Sequence, residues 1–158
     1  MTTKNLAAIP QEHSVSPAGK FELFRRHISL ALGGKKDIGI SGGGHPFDVE
    51  QVTLPSGKTA WPFHSHAAQW EMYLVQSGHG SARSEEGVKD VGPGDCWIIP
   101  PGSAHQLMNT GDEPLVYLVI ADHSPADVIH YPDSDKWFVK PQRKSFRMKE
   151  TDYYEGEE

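Results

Sequence analysis

Cysteine is almost absent from this chain: Cys96 is the only one in 158 residues. An intrachain disulfide is therefore impossible, and a thiolate metal cluster within one chain is excluded. Cys96 itself reads as a small, half-buried strand residue rather than a nucleophile. Long apolar runs are missing as well, since no segment approaches the roughly 20 apolar residues of a membrane span. The opening stretch MTTKNLAAIPQEHS lacks the basic-then-apolar order of an export leader, so a soluble, non-exported, cytoplasmic protein is expected. Net positive charge is the third absence. The chain carries -6, and five of its carboxylates (Glu150, Asp152, Glu155, Glu157 and Glu158) crowd the last nine residues, leaving a body of 15 basic and 16 acidic residues. No basic field exists to displace counterions, which argues against nucleic acid as a partner. No helix-turn-helix pattern precedes the central region, which argues against a self-contained transcription factor. No internal repeat and no second domain are visible.

Gly and Pro are plentiful, at 16 and 12, and punctuate short runs rich in β-branched and aromatic residues. Strands are expected at Phe47 to Leu54, Trp61 to His66, Trp70 to Gln76, Gly80 to Ser84, Val88 to Val91, Asp95 to Ile99, His105 to Asn109 and Leu115 to Asp122. Glu22 to Leu32 fits either a strand or a helical turn. Pro55-Ser56-Gly57 and Glu86-Gly87 make turns, and Gly92-Pro93-Gly94 and Pro100-Pro101-Gly102 fix both ends of one strand. Ser41-Gly42-Gly43-Gly44 is a long connection and not a phosphate cradle, because no Lys-Ser/Thr pair follows it. The expected division is an arm over residues 1–20, a β-barrel over 21–140, and a basic-then-acidic tail over 141–158. The class is all-β.

His64 and His66 are two apart, so in a strand both imidazoles face the same side. Glu71 opens the apolar run Glu71-Met72-Tyr73-Leu74-Val75, where a carboxylate needs a reason. Its five-residue offset from His66 requires a loop between them. His105 follows the stiff turn Pro100-Pro101-Gly102-Ser103-Ala104, which hands it to a new strand. Three imidazoles and one carboxylate suit iron, manganese, nickel, copper, cobalt or zinc better than calcium or magnesium. His13, His27, His45, His79, His123 and His130 fall outside this spacing and read as surface or turn residues. Tyr73, Trp97 and Met108 lie near these positions but read as core, while Gln69 and Gln106 are candidate substrate contacts.

The order Gly57-x6-His64-x-His66-x4-Glu71-x6-Gly78 resembles the first motif of the cupin superfamily, with one extra residue between Gly57 and His64. Gly94-x5-Pro100-x-Gly102-x2-His105-x3-Asn109 resembles the second motif without a gap. The stretches from Trp61 to His66, Asn109 to Leu115 and Tyr131 to Lys136 are similar to small single-domain bacterial cupins. This resemblance implies a double-stranded β-helix (jelly-roll) barrel and one divalent transition metal on His64, His66, Glu71 and His105. It gives turn roles to Gly78, Gly94, Pro100 and Gly102.

Four protein ligands leave an octahedral ion two open positions, so a small oxygenated metabolite can bind there. Oxygenase and sugar-type isomerase chemistry are both open, as fold analogy does not select between them. A non-catalytic, metal-dependent binding module is the alternative, and a metal that only staples the barrel is the plainest one. A homodimer covering the arm and the sheet edges is the expected assembly.

Overall fold

In the computed structural model, residues 2–36, 38, 43–122 and 124–158 are described. Ser41, Gly42 and His123, named above, lie outside the described residues. Thirteen strands run β1 (Glu12–Val15), β2 (Glu22–His27), β3 (Phe47–Leu54), β4 (Ser65–His66), β5 (Glu71–Ser77), β6 (Gly80–Ser84), β7 (Gly87–Val91), β8 (Cys96–Ile99), β9 (His105–Met108), β10 (Leu115–Asp122), β11 (Asp127–Tyr131), β12 (Lys136–Lys140) and β13 (Lys144–Phe146). One four-residue helix, α1 (Ile28–Ala31), and two 3-10 turns are the helical content of the described residues. The strands form sheets of six (β1-β2-β3-β10-β5-β8), four (β13-β12-β11-β4) and three (β7-β6-β9), rolled into the double-stranded β-helix of an all-β jelly roll.

The inner face of the six-stranded sheet explains where chemistry can sit. Side chains alternate along a strand, and β3 buries Asp48, Glu50, Val52 and Leu54 while Phe47, Val49, Gln51 and Thr53 stay outside or half-buried. Antiparallel register carries each inner residue across its neighbours. Leu54 lies beside Leu115, and Val52 lies between Arg25 and Tyr117, which continues to Val75. The next row is His27, Glu50, Val119, Tyr73 and Trp97; the last is Asp48, Ala121, Glu71 and Ile99. The barrel interior thus changes from aliphatic to ionisable over three steps along the strands. The core proper is Leu23, Val52, Leu54, Val75, Leu107, Leu115 and Tyr117.

Buried charges in that polar zone are paired. Glu50 accepts from Lys36 Nζ at 2.5 Å and from Arg25 at 3.4 Å and lies 2.8 Å from His27 Nδ1, and Glu12 holds the opposite side of His27 at 2.8 Å. Lys36 also reaches Asp48 at 2.8 Å, and the Ser29 hydroxyl bonds Asp48. Burial would raise the pKa of Glu50, but His27, Lys36 and Arg25 outweigh it and bring the group down to about 2.

The expected strands at Phe47–Leu54, Gly80–Ser84 and Leu115–Asp122 occur as read, and others shift by a residue. The expected strand from Trp61 to His66 shrinks to Ser65–His66, preceded by an isolated bridge at His64, because Pro62 has no N–H to give a ladder. Glu22 to Leu32 is both things considered, a strand and then a helical turn. Four strands are additional. In the stretch read as an arm, β1 pairs with β2; near the other end, β11, β12 and β13 form a meander. β1 and β13 are exposed throughout, so neither shows the alternation that marks a half-buried strand.

Asn109, fully buried, donates to Leu54 O and Glu113 O at 2.9 Å each and accepts from Gly111 N–H, tying two turns to β3. Gly78 turns β5 into β6 at φ +78°, where a Cβ would stand 2.3 Å from Pro114 O. Gly78→Ala is expected to cost roughly 2–5 kcal/mol from the left-handed backbone and the backbone clash together, read by urea denaturation. Glu50 gives the second expectation. Its folded pKa is depressed, so its stabilisation is complete above the ordinary carboxylate range and is lost as pH falls through about 2. Glu50→Gln should lower stability at pH 7 by on the order of 3 kcal/mol, and the gap to the parent chain should close between pH 4.5 and 2. A gap that stays constant over that range would contradict the ionic account.

Candidate metal centre

His66, Glu71 and His105 come from three different sheets, on β4, β5 and β9. They meet because His64 and His105 form an antiparallel bridge, with backbone hydrogen bonds of 3.1 and 2.8 Å in the two directions. That bridge sets the two rings 4.6 Å apart, and His66, two residues on, brings its ring to 5.1 Å from His64. The Pro100–Gly102 turn is fastened to the same place by Gly102 N–H donating to His66 O at 2.7 Å. Residues 67–70 form the loop that the offset between His66 and Glu71 demands. All four side chains are buried.

One donor atom each of His64, His66 and Glu71 lies within 4.8 Å of the others, a spacing able to hold a metal ion. His105 joins them through Glu71: its Nε2 is 2.8 Å from Glu71 Oε2, while His66 Nε2 is 3.5 Å from Glu71 Oε1. The test of fit is the far side of each ring. Nδ1 faces Pro62 O at 2.8 Å in His64, Asp127 Oδ2 at 2.5 Å in His66 and Ser103 O at 3.2 Å in His105. Each partner only accepts, so with an ion bound Nδ1 would carry the proton and Nε2 would turn its lone pair toward the shared centre. Three such nitrogens and a carboxylate fit a divalent transition metal.

The protonation states agree. Burial, then the neighbouring His105 imidazole, pushes His64 down to about 3, which leaves it neutral at pH 7. Burial would raise Glu71, but the hydrogen bond from His105 and the three neighbouring imidazoles hold it below the usual carboxylate range. The Tyr73 hydroxyl is driven upward by burial and by Glu71, stays protonated, and donates to Glu71 Oε2 at 2.7 Å.

A cavity of about 230 Å³ opens on this cluster, lined on one side by His64, His66, Gln69 and Glu71 and on the other by Arg25, Lys36, Asp48 and Glu50, with Tyr131 and Lys140 beside them. Gln69 lies in it and donates to Glu71 Oε1 at 2.9 Å. Gln106 does not: its amide donates to Trp61 O at 2.7 Å, and it lines a separate cavity of about 490 Å³ between β8 and β9 together with His105 and Trp97. Tyr73 belongs to both cavities. Of the remaining histidines, His13 stacks on Phe24, His27 sits between Glu12 and Glu50, His45 stacks on Phe47, His79 occupies the turn after Gly78, and His130 stacks on Trp137. None of these joins the cluster.

Several site residues escape a reading by motif. Asp48 and Glu50 had a usable signal, since they occupy inward positions of a strand whose next inward residues are Val52 and Leu54. Asp127 and Lys140 had none, because they enter from strands far along the chain, and Tyr131 stood out only as part of a stretch similar to small cupins.

The family model of Cupin_2, the cupin domain, matches residues 50–121. Glucose-6-phosphate isomerase of Pyrococcus horikoshii is 36% identical over 73 residues, covering 43% of this chain and 37% of that protein; the chain thus spans little more than a third of the length of such relatives. Among solved structures, a cupin-superfamily sugar phosphate isomerase from Silicibacter pomeroyi superposes with a TM-score of 0.77, at 25% identity over 92% of each chain. A protein of Acidithiobacillus ferrooxidans shares the fold over 96% of each chain, with a TM-score of 0.76 and 22% identity. No helix among the described residues is long and apolar enough to cross a membrane. The two motifs, the jelly-roll topology and these matches agree: the chain carries a cupin domain over residues 50–121 and has the double-stranded β-helix fold of cupins.

Proposed function

We propose that this cupin is a divalent-metal-dependent isomerase of small polyhydroxylated carbonyl compounds, of the aldose–ketose type, with His64, His66, Glu71 and His105 as the metal ligands. The observation that carries this is the convergence of His64, His66 and Glu71 on a cavity also lined by Arg25, Lys36, Asp48 and Glu50. At about 230 Å³ the space is smaller than the roughly 300–1,000 Å³ of drug-sized sites, and its walls favour oxygens over hydrocarbon. Arg25 adds to this, because its buried Nε–H has no protein partner among the described residues and is a donor for a ligand oxygen.

A bound ion supplies a Lewis acid at the cluster, polarising neighbouring carbonyl and hydroxyl oxygens. The chain does the rest. Tyr73 holds its proton on the hydroxyl and fixes Glu71 Oε2; the Gln69 amide fixes Oε1. Tyr131, 6.1 Å from His64 between ring centres and kept protonated by burial, closes the side of the cavity. Arg25, Lys36 and Lys140 offer cations to hydroxyls or to an acidic group on the substrate. Isomerisation moves one proton between adjacent carbons and one between their oxygens, so it needs no oxidant or reductant. The sugar phosphate isomerase of Silicibacter pomeroyi supports this class over an oxygenase. A two-fold dimer suits the shape, since β1 and β8 end the six-stranded sheet and Val15, Met72 and Ile98 are exposed near those edges.

Metal analysis of the purified chain is the first check. His64→Ala and His105→Ala should each lower bound metal, whereas His79→Ala should leave it unchanged; full occupancy in the first two refutes the ligand set. Activity is the second. Aldose and ketose phosphates incubated under argon with Mn²⁺-, Zn²⁺-, Ni²⁺- or Fe²⁺-loaded protein should interconvert with exchange of the migrating hydrogen. Turnover that consumes dioxygen, or tight capture of sugar without conversion, would replace the isomerase by an oxygenase or a binding module respectively.

A further inference from the structure

The three imidazoles at the centre are anchored in two different ways. His64 and His105 each present Nδ1 to the backbone carbonyl two residues earlier, Pro62 O and Ser103 O. Any sequence with that backbone supplies those acceptors. His66 has no such carbonyl: its Nδ1 meets Asp127 Oδ2 at 2.5 Å, from a side chain 61 residues away on β11. Asp127 is 3% exposed, and its other oxygen accepts the Ala68 N–H at 2.9 Å, so both ends of the carboxylate are fixed. β11 in turn is laid against the ligand strand, with Ile129 opposite His66, His130 opposite Ser65, and Ala67 N–H donating to Val128 O at 2.8 Å.

We infer that Asp127 is the positioning residue of the metal centre, and that the β11 strand, outside the residues matched by the family model, completes a site whose ligands all lie within them. This rests on His66 being a ligand. Without an acceptor behind it, an imidazole can carry its proton on Nε2 or turn about its last torsion, and either change removes the lone pair from the centre. A carboxylate in that place locks tautomer and ring plane together, and loss of such a partner typically weakens metal binding 10–100-fold. The contact to Ala68 is a separate task, holding the turn that leads from β4 towards Glu71. Asn can serve only one of the two partners, because its amide nitrogen would face either the Ala68 N–H or the imidazole N–H.

The full-length chain loaded with Zn²⁺ tests this by competition with a chromophoric chelator, for the parent, Asp127→Ala, Asp127→Asn and His66→Ala. The same proteins loaded with Co²⁺ give a visible spectrum that reports ligand geometry. Asp127→Ala should release Zn²⁺ roughly 10–100 times more readily and shift the Co²⁺ bands, with Asp127→Asn between it and the parent. The isosteric Asn variant decides the matter if the Ala variant does not fold. Parent-like affinity and spectrum in both Asp127 variants, while His66→Ala loses metal, overturns the positioning role. A lowered melting temperature with an unchanged Co²⁺ spectrum overturns it too, leaving Asp127 as a turn brace. Parent-like affinity in His66→Ala instead defeats the ligand assignment beneath both.

Discussion

His64 and His105 exchange backbone hydrogen bonds in both directions, although His64 belongs to no ladder and His105 only begins one. This single bridge joins the four-stranded sheet, which holds His66 two residues away, to the three-stranded sheet that begins at His105. Glu71 approaches from the third sheet and is reached by His105 Nε2. A cluster drawn from three sheets has no local sequence element to hold it together, so its geometry depends on where the sheets are stitched. The Gly102 N–H to His66 O bond is the second stitch, and it explains why the turn before His105 must be stiff: a floppy turn would leave both His66 and His105 without a fixed neighbour.

Placing four ionisable groups inside a barrel is costly unless each has a partner, and the inner face of the six-stranded sheet shows how the cost is met. Two polar patches lie on that face. One is the candidate metal cluster, whose Tyr73 and ionised Glu71 lie on this face and share hydrogen bonds with each other and with His105. The other is the group around Glu50, where cations outnumber the carboxylate they surround. Val119 and Ala121 stand between them on β10, so the strand register keeps the two patches apart by two strand spacings, about 10 Å. Had they been adjacent, Lys36 and Arg25 would compete with a metal ion for Glu71. The separation is also what leaves a cavity between them.

The sequence was most legible where local spacing is itself the mechanism. His64 and His66 have to be two apart to share a face, Glu71 has to follow a loop, and His105 has to follow a Pro-Gly turn. Strands with one buried and one solvated face, such as Phe47–Leu54 and Leu115–Asp122, announced themselves by alternation. What escaped was of two kinds. β1 and β13 are exposed on both faces and leave no pattern, since hydrogen bonding to a neighbour, which sequence does not record, is all that makes them strands. Asp127 escaped because its function is defined by contact with His66 across 61 residues, and a lone Asp beside Ala and Val looks like any strand-start polar residue. Gln106 shows the converse. Its nearness to His105 in sequence invited a role in the cavity, yet residues adjacent on a strand face opposite sides, and it turned to Trp61 instead.

The division between the matched segment and its flanks accounts for what the cupin match leaves open. Residues 50–121 contain all four proposed ligands, together with Tyr73 and Gln69. About half of the cavity's lining comes from elsewhere: Arg25 and Lys36 precede that segment, and Tyr131 and Lys140 follow it. A ligand oxygen on the metal would therefore be read by the cupin motifs, but the remainder of the ligand would be read by the flanks. Likeness confined to 73 residues therefore leaves these flanking walls unread.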